Sequence, residues 1–340
     1  MQPPSRPFVS IIMPALNEEA YIRAAIQSVI PRVDEPVDYE ILVADGGSVD
    51  ATCAIVEAMS AENPRIRLIH NPRRLQSAGV NLAARASDPR SLYLVRADCH
   101  AKYPSGYVAR CVALLAEKGA SSIVVAMRTR GSSCLQTAIA AAQNSRLGNG
   151  GSAHRVGGRS GFVDHGHHAA FDKAVFVRLG GYDESFVANE DAELDARLTR
   201  SGGKIWLDGD TLIDYFPRAS LAKLAQQYYR FGWGRANTLI KHNAVPRLRQ
   251  VAPVVALGVC VASLAGAVYD ARLIAPALLY TGLCLGWGVS IAFKNRNGCL
   301  VGAGVAAIVM HMSWAVGFLR RVVGAVLPVP VRETRAKTAK

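Results

Sequence analysis

Apolar and polar positions divide the chain into two regimes that meet near residue 250. Before that point, short apolar runs alternate with stretches of helical spacing. The runs at 8–13, 39–44, 66–69, 91–95 and 122–127 predict strands. Helices are predicted over 18–30 with Asn17 as cap, from Ser48 or Asp50 through Met59, over 77–85, and from Pro104 to Lys118. The alternation predicts an α/β fold, a mainly parallel sheet with helices on both faces. Ligands bind such sheets beyond the carboxyl ends of the strands. Asn17, Glu18, Asp45 and Asp98 fall at those ends.

After residue 250 come three uncharged stretches, 251–268, 273–293 and 298–319, of 18, 21 and 22 residues. Each is near the ~20 residues a helix needs to cross a bilayer core. Their Gly and Ala residues suit close helix packing in lipid. The segment 217–249, just before them, holds seven basic residues and no Asp or Glu. Leu221, Leu224, Tyr228 and Phe231 recur in it at helical spacing. This predicts an amphipathic helix on an anionic leaflet and sets the front of the first span in the cytoplasm. Three full crossings would then strand Arg320, Arg321 and the basic tail on the far side, against the positive-inside rule. One stretch is re-entrant or interfacial, or the tail is an exception.

Composition sharpens this picture. The chain has 340 residues, half of them apolar, and a net charge of +13. The apolar fraction excludes a disordered chain. The charge calls for an anionic partner, and no nucleic-acid reading module accompanies it. Seven scattered cysteines form no C-x-x-C pair and fit a reducing compartment. Residues 1–7 have no apolar h-region, so no cleaved signal peptide is expected.

The candidate chemistry lies in a series of motifs. Val9-Ser10-Ile11-Ile12-Met13-Pro14-Ala15-Leu16-Asn17-Glu18 leads to Asp45-Gly46-Gly47-Ser48-Val49-Asp50. Arg96-Ala97-Asp98-Cys99-His100 follows, then Gly180-Gly181-Tyr182-Asp183-Glu184 and Glu190-Asp191-Ala192-Glu193-Leu194. Gln227-Tyr228-Tyr229-Arg230-Phe231 closes the series. In order and spacing these resemble the family 2 glycosyltransferases of GT-A fold, over roughly residues 8–240. That fold is a Rossmann-like domain binding a nucleotide-diphospho-sugar.

The resemblance implies roles. Asp45 reads the uracil of a UDP-sugar, with Pro14, Asn17, Glu18 and Arg74 around the donor. Asp98 holds Mg²⁺ or Mn²⁺, whose preference is for oxygen ligands. The family usually has D-x-D here; Arg96 replaces the first acid and is expected on the ribose or diphosphate. His100 is expected as a second metal ligand or a phosphate contact, with a structural role as the alternative. His167 or His168 would complete the metal shell or bind sugar hydroxyls, His168 being the substrate-binding choice. Asp191 is the base for an inverting transfer, with Glu190 beside it on the acceptor. Gln227 and Arg230 match a Q-x-x-R-W pattern at the acceptor site, with Phe231 in place of Trp. Glu193, Asp195 and Arg197 are expected in helix surface and packing roles. The glycine-rich loop 144–166 is a candidate cover for the diphosphate.

Four parts are therefore expected: a cytoplasmic catalytic domain (1–215), a basic interfacial helix region (216–249), a membrane region of about three helices (250–320) and a basic tail (321–340). Further segments, 71–81, 94–104 and 163–168, are similar to those of family members in exopolysaccharide assembly. They imply transfer of glucose from UDP-glucose to a polyprenyl-diphosphate-linked oligosaccharide, at the cytoplasmic face of a bacterial inner membrane. A polyprenyl-phosphate sugar synthase and a non-catalytic sugar-binding protein stand as alternatives.

Overall fold

The computed structural model describes residues 6–152, 155 and 159–326. His154 of the glycine-rich loop and the tail beyond residue 326 lie outside the described residues. The strands are β1 (Phe8–Ala15), β2 (Asp38–Asp45), β3 (Ile66–His70), β4 (Tyr93–Arg96), β5 (Ala101–Lys102), β6 (Ser122–Thr129), β7 (Gly161–Val163), β8 (His167–Asp172) and β9 (Ile205–Tyr215). The helices among and after them are α1 (Ile22–Val29), α2 (Thr52–Glu62), α3 (Gln76–Ala86), α4 (Tyr107–Lys118), α5 (Cys134–Asn144), α6 (Arg146–Asn149), α7 (Lys173–Arg178), α8 (Glu190–Arg200) and α9 (Leu221–His242). Three apolar helices end the fold: α10 (Leu248–Gly266), α11 (Ala275–Lys294) and α12 (Ala303–Val326).

The strands form one sheet in the order β3-β2-β1-β4-β8-β6-β9-β5, with β7 also on β9. The first four run parallel, as expected. The sheet as a whole is mixed, because β8 runs antiparallel to both β4 and β6. The reason is the path between β6 and β8. There α5 leaves the sheet and packs Ile139 and Ala142 against Leu224, Ala306 and Ala307. Among the described residues of this path no helix crosses over the sheet, and the chain re-enters from the end it left.

Strand period 2 builds the core on both faces. Val9, Ile11 and Met13 of β1 pack on one side, and Ile12, with Leu42 and Leu94, packs on the other. The helix expected from residue 18 begins only at Ile22. Asn17 does not cap it. Its φ is 55°, and its Oδ1 accepts from the Val49 amide at 2.9 Å.

The C-terminal helices are each long and apolar enough to span a membrane. On α10 and α11, Val259, Leu264, Leu278 and Leu283 are exposed. By contrast, α12 lies along α9, with Ala306, Ala307 and Met310 fully buried. Glycines make this closeness: a Cβ on Gly232 would collide with the Trp314 carbonyl oxygen, and one on Gly317 with that of Tyr229. Cys134 and Cys299 are disulfide-bonded, tying α5 to the turn before α12. The pair lies 165 residues apart in sequence, so short C-x-x-C spacing had no means of revealing it.

Candidate active site

The carboxyl end of β4 meets the N-terminus of α8 through Arg96 and Glu190, and the ends of β1 and β2 meet each other at the turn after Asp45. Asp45 ends β2, and its Oδ2 accepts from the amides of Gly47 at 2.8 Å and Ser48 at 3.0 Å. Burial would raise its pKa, but these bonds and the Ser48 hydroxyl outweigh that and lower it. Arg74 lies over the turn, its Nε 3.2 Å from a Cβ placed on Gly47. Asp45 and Arg74 are thus brought together. Asn17 instead laces the turn to β1, its amide donating to Ser48 Oγ at 2.8 Å. Pro14 accepts at its carbonyl from Cys99 Sγ.

Arg96 is 5% exposed and joins two acids. Its Nη2 stands 3.3 Å from Asp98 Oδ1 and 3.6 Å from Glu190 Oε1, and its Nη1 donates to Tyr182 Oη at 2.9 Å. Burial opposes ionisation of Asp98, yet Arg96, His167 and His100 pull its pKa down to about 2. Asp98 Oδ2 lies 3.6 Å from His167 Nε2. Burial lowers the His167 pKa to about 4, so the ring is neutral and keeps a lone pair for a metal.

His100 lines the same cavity as Asp98 and His167 and is engaged through one ring nitrogen. Its Nδ1 is 3.2 Å from Glu18 Oε1. Burial favours the neutral ring, but Tyr215, Glu18 and Asp98 outweigh it and raise the pKa to about 9. Among the described residues no group of three or more His, Cys, Asp or Glu gathers to hold a metal. The protein offers an open pair, Asp98 and His167, which fits a cation completed by oxygens of a bound substrate.

Glu190 and Asp191 open α8. Burial, with the Asp191 charge, raises Glu190 against the pull of Arg96. Burial acts on Asp191 too, but His165, His168, Arg96 and Arg235 hold it well below the carboxylate range. Asp191 is therefore the more acidic member of the pair.

His168 is corrected. It is fully buried, with Nδ1 2.7 Å from Tyr182 Oη and Nε2 2.7 Å from Asp195 Oδ1. Both nitrogens are used, so neither is left for substrate or metal. Asp195 also holds His165 Nδ1 at 2.7 Å, and Glu193 receives Arg197, Lys241 and His242. These acids are buried anchors. The i,i+4 spacing of Asp191 and Asp195 on α8 was the one available signal, since it puts both on a single face. His167, Tyr182 and Asp195 are thus functional neighbours that the motifs pointed to only loosely.

Gln227 and Arg230 of α9 line a cavity of about 860 Å³ together with Asp98, Glu190 and Asp191. Gln227 Nε2 donates to Tyr215 Oη at 3.2 Å. Pro253, Ala256 and Trp314 of the apolar helices line the same cavity. Asp45 and Arg74 lie outside its lining.

The strand-end carboxylates and the acidic helix start define a nucleotide-sugar transferase domain of the GT-A type. The chain belongs to glycosyl transferase family 2, whose sequence model matches residues 10–180. It is 44% identical over 310 residues to the succinoglycan biosynthesis protein ExoA of Rhizobium meliloti (strain 1021), covering 91% of this chain and 93% of that one. It is 22% identical over 230 residues to a dolichyl N-acetyl-alpha-D-glucosaminyl phosphate 3-beta-D-2,3-diacetamido-2,3-dideoxy-beta-D-glucuronosyltransferase of Methanococcus voltae, covering 66% of this chain and 72% of that one. In structure it resembles the mannosyltransferase PcManGT of Pyrobaculum calidifontis, solved with GDP-Man and Mn2+. The TM-score is 0.64 at 18% identity, over 92% of this chain and 86% of that one. This last likeness is one of fold.

Proposed function

We propose that the enzyme moves a sugar, glucose in the first instance, from a UDP-sugar to a lipid-linked glycan in exopolysaccharide assembly. The reaction inverts the anomeric carbon, and the catalytic domain works at the cytoplasmic face of a bacterial inner membrane. One observation carries this reading: a single cavity joins Asp98, Glu190 and Asp191 to the apolar helices. An acceptor with a sugar head and a hydrocarbon tail fits such a space. The 44% identity to a succinoglycan biosynthesis protein supports the pathway class.

Asp45 and Arg74 would hold the donor base and Asp98 its diphosphate side. Asp191 takes the proton of the acceptor hydroxyl as that oxygen attacks C1, and Glu190 orients the hydroxyl. Arg96 keeps the buried acids from repelling one another. A divalent cation, Mg²⁺ or Mn²⁺, would be held by Asp98 and His167 and would supply positive charge to the leaving diphosphate.

A panel of radiolabelled UDP-sugars, assayed with extracted lipid-linked acceptors, tests the reaction. Asp191→Asn should lower transfer by about 10²–10⁴-fold while donor binding stays nearly intact. A fully active variant removes Asp191 as base. Glu190→Gln, run in parallel, shows which acid of the pair takes the proton. Bare polyprenyl phosphate as acceptor separates glycan extension from direct charging of a lipid phosphate.

A further inference from the structure

Several arginines line the cavity, and Arg235 and Arg249 are the two on its wall that stand with Asp191 on one side and the apolar residues of α10 on the other. Arg235, half-buried on α9, has Nη2 3.3 Å from His165 Nε2. Arg249, on the first turn of α10, runs its stem under Gly150, where a Cβ would lie 3.2 Å from its own Cβ. Among the described residues neither guanidinium has a carboxylate at salt-bridge distance, whereas neighbouring Arg247 is paired with Asp164 at 2.8 Å. Burial is the main cause that lowers the Arg235 pKa; Arg249 and Arg247 add to it, and Asp191 and Asp195 offset it only in part. Like charges brought together in a partly dry cavity call for an anion.

The helix carrying Arg249 also indicates the kind of group to which the anion is attached. Arg249, Pro253 and Ala256 stand at i, i+4 and i+7, and all three line the cavity. One face of α10 therefore passes from a cation to apolar carbon within two turns. Trp314 of α12 continues the apolar wall. A head of phosphate and a body of hydrocarbon match this order of groups.

We infer that Arg235 and Arg249 bind the phosphate head of the lipid-linked acceptor in the cavity that also holds Asp191, with its hydrocarbon chain along Pro253, Ala256 and Trp314. This rests on the proposed function and adds the place where the lipid phosphate is held. The base and the lipid phosphate then share one cavity, with the glycan between them.

The test uses the full chain in membranes, with donor and acceptor titrated separately. Arg249→Gln should raise the KM for lipid-linked acceptor about tenfold or more, the loss expected for one charge-assisted contact. The donor KM should not move. Arg249→Lys keeps the charge without the fork and should show a smaller rise in the same parameter; it decides alone if the Gln variant fails to fold. A raised donor KM with an unchanged acceptor KM would assign the pair to the donor diphosphate and overturn the inference. Weaker binding to phosphatidylglycerol vesicles with unchanged acceptor KM would assign it to bulk headgroups and overturn it equally. A wild-type enzyme that glycosylates only water-soluble glycans would overturn the reading of the function itself, and this site with it.

Discussion

Arg96 occupies the place of the first acid of the D-x-D pattern, and its surroundings explain the exchange. Asp98, Glu190 and Asp191 crowd one buried site, and their charges need a cation among them. Removing it as Arg96→Met leaves those acids unpaired and should cost about 3–5 kcal/mol of stability, read from denaturant midpoints. His100 makes a second prediction. Its folded pKa is raised from 6.5 to about 9, so its contribution is complete below about pH 6.5 and is lost as pH rises through about 9. Thermal midpoints in detergent should fall over that window, and His100→Gln should flatten the fall. At this scale the motifs were legible in residue type but not in partner. Nothing in the order His165, His167, His168 tells which ring meets Asp98 and which two meet Asp195. Strand β8 separates His167 from His168, because its alternation turns neighbouring rings to opposite faces, while His165 reaches Asp195 from the segment before the strand.

The acidic start of α8 is held by α9. Asn189, at the N-cap with φ of 61°, donates from Nδ2 to the Phe231 carbonyl at 2.7 Å. Gly234 lets the two backbones meet, since a Cβ there would collide with the Ala188 carbonyl oxygen. Gly234→Ala should therefore displace Glu190 and Asp191 and lower kcat about 10²-fold, the order expected of a misplacement of about 1 Å. Gly258→Ala on α10 meets open space and should leave kcat unchanged. Such helix-to-helix docking was not legible from amphipathic spacing. The spacing showed that α9 has an apolar face, and not that its glycines support the acids at the start of α8.

At the scale of the whole molecule, α12 bears on how the chain meets the membrane. Its start is tied to α5 through Cys299, His311 Nε2 reaches the Leu147 carbonyl at 2.8 Å, and Arg321 Nε donates to Asn237 at 2.9 Å. Contacts with the catalytic domain and α9 thus run along its length. A helix so held lies beside the domain, whereas α10 and α11 expose their apolar faces. The expected topology is two membrane-inserted helices and a lateral third, which returns the basic tail to the catalytic side and satisfies the positive-inside rule. A reporter fused after residue 326 should read the same side as one at the N-terminus. Opposite sides would mean that α12 crosses.

The sequence by itself determined the α/β class, the family, the order of the chemical motifs and the apolar character of the last three helices. Each of these depends on local periodicity or on residue type at fixed spacing. Only the tertiary structure decided the mixed sheet, the burial of His168, the pairing of Arg96 with its acids and the lateral packing of α12. Those depend on contacts between segments tens to hundreds of residues apart. There, glycine-permitted backbone contact and the pairing of buried charges select one arrangement from many that the local pattern allows.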